Sequence, residues 1–186
     1  MKSKVLRFSI FILIFFIVVT GGAYIVKNVV YPYKYQELIE KYSEKYVLDP
    51  LLVAAVIKTE SNFRKEARSN KDAVGLMQIT EDTAKWAAGE MNIKDFDVKT
   101  LTDPELNIRM GCWYLDNLKK EFNGDMDLVL ASYNGGRGNV QKWLKSKKHS
   151  KDGKSLDYIP FKETDKYLKR IKVNYNIYKF LYKNSI

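Results

Sequence analysis

About nineteen residues without a charge, FSIFILIFFIVVTGGAYIV at positions 8 to 26, constrain this chain more than any other feature of its sequence. A helix of about 20 apolar residues crosses a bilayer, and the run exceeds the roughly 7 to 15 apolar residues of a cleavable signal peptide. Lys2, Lys4 and Arg7 precede it, so the bias of cationic flanks toward the cytoplasm sends the rest of the chain outside. The expectation is a single-pass membrane anchor over residues 1–30, with an extracytoplasmic domain behind it. Cleavage at the small residues of TGGA, giving a secreted domain, is the alternative. No Cys stands directly after the run, which excludes a lipid-modified N-terminus.

KNVVYPYKY, 27 to 35, reads as a short linker broken at Pro32, and the folded domain is expected over 35–186. A chain of 186 residues that is 46% hydrophobic supports one core. The net charge of +10 is spread along the sequence, which favours an anionic polymer or surface as neighbour. Nucleic acid and bacterial cell wall are such polymers, and outside the cytoplasm nucleic acid is a poor candidate. Cys112 is the single cysteine and His149 the single histidine, so neither an internal disulfide nor a metal site is expected. His149, among lysines, reads as a solvated loop residue.

Helical signals dominate the exported part. Leu38, Ile39, Tyr42 and Tyr46 recur at helical spacing. Asp49 followed by Pro50 reads as a helix cap and first turn, and LLVAAVI behind them is apolar on every side, as in a helix buried at the centre of a domain. Asp103 and Pro104 open another helix through Phe122, and NGD at 123 to 125 ends it and caps the next. GGRGN (135–139) is expected to be a loop, VQKWL a short helix, and KSKKHSKDGKS (145–155) a basic loop or lid. A last amphipathic helix is expected from Thr164, carrying Tyr167, Leu168 and Ile171. No segment alternates with period two for long enough to require a strand, so the expected class is all-α.

Glu60 closes the buried apolar helix. The negative end of the helix dipole and the apolar surroundings both disfavour a charged carboxylate there, which raises its pKa. A carboxylic acid that keeps its proton near neutral pH suits cleavage of a glycosidic bond, whose leaving oxygen must be protonated. On this stretch alone a catalytic acid and an exposed Glu on a frayed helix end are both open.

ES at 60–61, GLMQIT at 75–80, SYNGGRGNVQKWL at 132–144 and IPFKETDKYLKRI at 159–171, in this order, resemble the lytic transglycosylases of the soluble lytic transglycosylase type, relatives of goose-type lysozyme. LTDPELNI…GCWYL, 101–115, is similar to that family's linking helix. The resemblance implies a lysozyme-like helical domain without metal or organic cofactor, acting on peptidoglycan glycan strands. It implies Glu60 as the catalytic acid, with Ser61, Ser69, Gln78, Tyr133, Asn134, Glu163 and Tyr167 holding the glycan. Gly75 is expected to bring backbone close to substrate, and Tyr133 and Tyr167 to lie in the groove rather than the core. Such enzymes use one carboxylate: the acid protonates the bridging oxygen, then takes a proton from the muramyl C6 hydroxyl, leaving a 1,6-anhydro end. Two departures are visible, Ser132 where the family has Ala, and Asp72 where Gly is common. Asp72 leaves open a hydrolytic muramidase in which it is the second carboxylate. A catalytically idle glycan-binding component of an envelope assembly is the remaining alternative.

Overall fold

The computed structural model describes residues 2–183 and divides the chain into two compact units, one ending at Lys34 and one beginning at Tyr35. The first is α1 (Lys2–Ile25), continued by a π-helical turn over Val26–Val30. Ile10–Val30 is long and apolar enough to cross a membrane, and its side chains are exposed, Phe11 at 67% and Val29 at 68%. The helix does not stop at Lys27, where the linker was expected. It stops at Tyr31, which Pro32 forces out of the helical region, to φ −122° and ψ 57°.

The second unit consists of α2 (Gln36–Lys45), α3 (Pro50–Glu60), α4 (Glu81–Glu90), a 3₁₀ turn (Val98–Thr102), α5 (Pro104–Glu121), α6 (Met126–Gly135), α7 (Arg137–Lys145) and α8 (Lys162–Tyr182). Among the described residues there is no strand, and extended pairing is limited to the bridges Arg68–Val74 and Val74–Ile79. Short-range chemistry sets the helix starts. The Asp49 carboxylate accepts from the Leu51 N–H at 2.8 Å, that of Asp103 from Leu106 at 2.8 Å, and that of Asp125 from Asp127 and Leu128 at 3.0 and 3.1 Å. Each satisfies donors that a helix start leaves without partners.

α3 is the centre of the domain. Val53, Ala54, Ala55, Val56 and Ile57 are fully buried, and the helix makes its widest contact with α8, through the face carrying Tyr167, Leu168, Ile171 and Tyr178. α5 supplies Ile108, Met110, Cys112, Leu115 and Leu118 to the same core.

Several boundaries differ from the sequence reading. α4 was not anticipated, because it turns small residues inward (Ala84, Ala87, Ala88) and shows no large apolar stripe. GGRGN is not a loop: α6 runs to Gly135, α7 starts at Arg137, and the break is the single residue Gly136 at φ 86°. α8 begins at Lys162, two residues before Thr164. The basic segment after α7 is a loop, as expected, and one fixed by its own hydrogen bonds. The Asp152 carboxylate accepts from the Lys154 and Ser155 N–H groups at 2.7 and 2.9 Å, and His149 is half-buried, stacked on Tyr158.

Ser132 is fully buried and its hydroxyl has no protein partner. A buried polar group without a hydrogen bond costs about 1–3 kcal/mol, so Ser132→Ala is expected to stabilise the fold by about 1 kcal/mol. The check is a rise in the urea midpoint at constant m-value; a fall would mean that the hydroxyl has a partner in solution.

Candidate active site

Glu60 is the last residue of α3 and lines an open cleft of about 500 Å³ together with Ser69, Asn70, Lys71, Gln78, Tyr133 and Glu163. Removal from water pushes its carboxyl up to about 7, against smaller opposing effects of the Tyr167 hydroxyl and Arg170; the negative charge of Glu163 pushes the same way as burial. The Tyr167 hydroxyl donates to Glu60 Oε1 at 2.6 Å. Both Tyr133 and Tyr167 are held well above the ordinary tyrosine range, first by burial and then by the charge of Glu60. At neutral pH each is a hydrogen-bond donor and not an acid or base.

The chain after Glu60 is a shaped loop. Val74 and Ile79 exchange backbone hydrogen bonds at 3.0 Å, closing the turn Gly75–Gln78, in which Gly75 has φ 84° and Gln78 φ 48°. Gln78 holds its left-handed conformation by folding back on the loop: its Nε2 donates to the Ala67 and Gly75 carbonyls at 3.0 and 2.9 Å, which leaves the amide oxygen for the cleft. Ser69 Oγ accepts from the Lys71 and Ala73 N–H groups, both at 3.1 Å, so its own proton remains available.

The turn is fixed to α5 by Asn107, which the sequence reading missed. Asn107 is fully buried; its Oδ1 accepts from the Met77 N–H at 2.7 Å, and its Nδ2 donates to the Val74 and Leu101 carbonyls at 3.0 and 2.8 Å. A Cβ on Gly75 would lie 2.2 Å from Asn107 Nδ2. Gly75 therefore gives close approach to Asn107, not to a substrate as expected. One turn further along α5, a Cβ on Gly111 would lie 2.2 Å from Met77 Sδ. Position 107 shares the inward face of α5 with 111, 115 and 118, and a polar residue on that face was the available signal.

Of the expected site residues, Glu60, Ser69, Gln78, Tyr133, Asn134 and Glu163 come together around the cleft. Ser61 does not. It is 1% exposed and directs its hydroxyl at the Leu76 carbonyl at 2.8 Å, tying the end of α3 to the turn. Tyr167 is 3% exposed and reaches the site only through its hydroxyl. Tyr133 forms part of the wall, but its hydroxyl is taken by the Met77 carbonyl at 2.8 Å. Asn134 Oδ1 accepts from Thr164 Oγ1 at 2.8 Å, and Glu163 pairs with Lys71 at 3.4 Å. Asp72 is exposed and outside the cleft lining; its φ of 56° explains why glycine suits that position. Among the described residues no three His, Cys, Asp or Glu side chains converge as metal ligands.

A helical domain with a partly buried carboxylic acid at the end of its central helix, opening into a cleft with polar side chains in its wall, is of lysozyme-like class. Residues 37–156 match the Transglycosylase SLT domain, and the chain belongs to that family. It is 36% identical over 123 residues to membrane-bound lytic murein transglycosylase C of Serratia proteamaculans, covering 61% of this chain and 34% of that protein. It is 30% identical over 143 residues to soluble lytic murein transglycosylase of Escherichia coli K12, covering 76% of this chain and 22% of that protein. Among solved structures, the lytic transglycosylase Slt of Pseudomonas aeruginosa superposes with a TM-score of 0.70 at 30% identity, over 80% of this chain and 24% of that one. The 70-kDa soluble lytic transglycosylase of Escherichia coli gives 0.72 at 27% identity, over 81% and 25%. The chain thus spans about a quarter to a third of the length of these relatives.

Proposed function

We propose that this chain is a peptidoglycan lytic transglycosylase, cleaving the β-1,4 bond between N-acetylmuramic acid and N-acetylglucosamine with Glu60 as sole acid and base. The observation that carries the reading is a carboxyl held at about 7 in a cleft, with Tyr167 hydrogen-bonded to one of its oxygens. Tyr167 occupies Oε1, so Oε2 carries the proton. That proton passes to the bridging oxygen as the C1–O4 bond breaks and its electron pair goes to O4. The acetamido oxygen of the muramyl sugar closes on C1. The C6 hydroxyl then displaces it, giving its proton to the Glu60 carboxylate, which returns to its starting state without consuming water. Ser69, Gln78, Tyr133, Asn134 and Glu163 shape the glycan site, while Ser61 and Tyr167 hold Glu60 and its loop. Residues 1–30 serve as the membrane segment and 35–186 as the catalytic domain outside the cytoplasm, consistent with membrane-bound relatives and an N-terminal apolar helix.

A hydrolytic muramidase is the second reading, and its partner carboxylate would be Glu163, which lines the cleft, rather than Asp72. Mass spectrometry of muropeptides released by the purified chain tests both. The expected products end in 1,6-anhydromuramic acid, and Asp72→Asn yields the same ends at most of the native rate. Reducing muramic acid ends from the native chain, lost in Glu163→Gln, would replace transglycosylation with hydrolysis.

A further inference from the structure

The outward face of α8 has two halves. At 100° per residue, Lys166, Lys169, Arg170, Val173, Ile177 and Phe180 fall within about 60° of one line along the helix. The cationic half lies toward the N-terminus. The apolar half follows, with Ile177 half-buried and Val173 57% and Phe180 88% exposed, the latter the most exposed large hydrophobic residue among those described. Of the acids beside the cationic half, Glu163 pairs with Lys71, from outside the helix, and Asp165 with Lys169, one of the face's own cations. The opposite face of the same helix is packed on α3, so this exposure is not the fraying of a loose helix.

We infer that this face of α8 docks on an anionic bilayer surface, the cations meeting lipid phosphates and Val173, Ile177 and Phe180 entering the headgroup boundary. Exposed apolar side chains bind an interface by burial and neighbouring cations by attraction to anionic lipid; here the two are set end to end on one face. The inference rests on the membrane reading of Ile10–Val30. Only residues 31–35 join that helical segment to α2, and five residues span at most about 18 Å. Tyr31, Tyr33, Lys34 and Tyr35 in this joint are of the kind that settle at a membrane–water boundary. A tether this short keeps the local lipid concentration high, so weak contact suffices. A docked α8 confines the cleft to glycan strands lying close to the bilayer.

The test uses the full chain reconstituted in vesicles, with an environment-sensitive fluorophore on Asn176→Cys, an exposed position at the edge of this face. Cys112 is fully buried and the unsubstituted chain serves as blank. In phosphatidylglycerol vesicles the label is expected to shift to the blue and to be quenched by brominated acyl chains. High salt and Phe180→Asp should each reverse this, with unchanged thermal stability for the variant. A label that stays water-like in every vesicle overturns the proposal. So does a shift that depends on protein density and not on lipid charge, which would assign the face to a second copy. A shift produced by soluble polyphosphate with zwitterionic vesicles would assign it to an anionic polymer and also overturn the proposal. Flotation with zwitterionic vesicles reads the anchor separately: its failure refutes the anchor, while the shift in anionic vesicles still decides the face.

Discussion

Glu60→Gln is expected to lower turnover by about 10⁴-fold, the upper end of general acid–base contributions, while glycan binding is retained. Gln keeps the shape of the side chain and an oxygen for the Tyr167 hydroxyl, which donates to it at 2.6 Å in the native chain. It cannot deliver or receive the proton, and in the proposed mechanism one residue serves both steps. The native kcat/KM should fall as pH rises through about 7, because the first step needs protonated Glu60. The same substitution has a second signature in stability. The folded chain holds the carboxyl at about 7 against an ordinary 4.5, so folding favours the neutral form. A raised acid contributes its full share below about pH 4.5 and loses it as pH rises toward 7. At pH 8 the native chain therefore carries a penalty that Gln lacks, on the order of 3 kcal/mol at about 1.36 kcal/mol per pH unit; at pH 4 the two should be equal. Urea unfolding at both pH values measures it. Equal stabilities at pH 8 would mean that Glu60 is well solvated, and residual activity within tenfold of native would remove it from the chemistry.

Asn107→Ala is expected to destabilise the domain by about 3–5 kcal/mol, since three buried backbone groups lose their partner at about 1–3 kcal/mol each, partly offset by relaxation. Those groups are the Met77 N–H and the Val74 and Leu101 carbonyls. Against a typical total of about 5–15 kcal/mol, the variant is marginal. The loss should also be functional at temperatures where the variant remains folded. The turn that Asn107 holds carries Gln78 and offers the Met77 carbonyl to Tyr133, so KM for glycan should rise along with the fall in melting temperature. A stability change under 1 kcal/mol would show that the turn holds itself through the Val74–Ile79 pairing alone.

What could be read from the sequence was chemistry within a few residues. Asp49 with Pro50, Asp103 with Pro104 and Gly124 with Asp125 mark helix boundaries because a cap and its helix are neighbours in the chain. The centrality of α3 follows from a segment apolar on every side. Glu60 drew notice by its place at the end of that segment, but the choice between a catalytic acid and a surface charge rested on the four motifs that resemble the transglycosylases. The rest depended on partners far along the chain. Whether Ser61 faces a ligand or the interior is decided by the Leu76 carbonyl, and the burial of Tyr167 by α3. Gly75 looked like a site for substrate approach because its φ of 84° is a property of the turn alone, whereas the neighbour that needs the space is Asn107 on α5. The α6–α7 junction misled for a related reason: Gly135 stays helical where a Cβ would lie 3.0 Å from Thr164 Oγ1, and Gly136 alone makes the break.

The hydrogen bond between Glu60 and Tyr167 joins residues 107 positions apart, and this separation governs when the domain can exist during its making. α3 is too apolar to stand in water by itself, and its widest partner, α8, is among the last parts of the domain to be synthesised. Loop closure over such a length precedes the contacts that reward it, which slows folding. A chain being passed through a membrane would thus remain without its central packing, and without an oriented acid, until α8 has followed α3 across. For the proposed topology, the position of one helix in the sequence would order passage across the membrane before the orientation of Glu60.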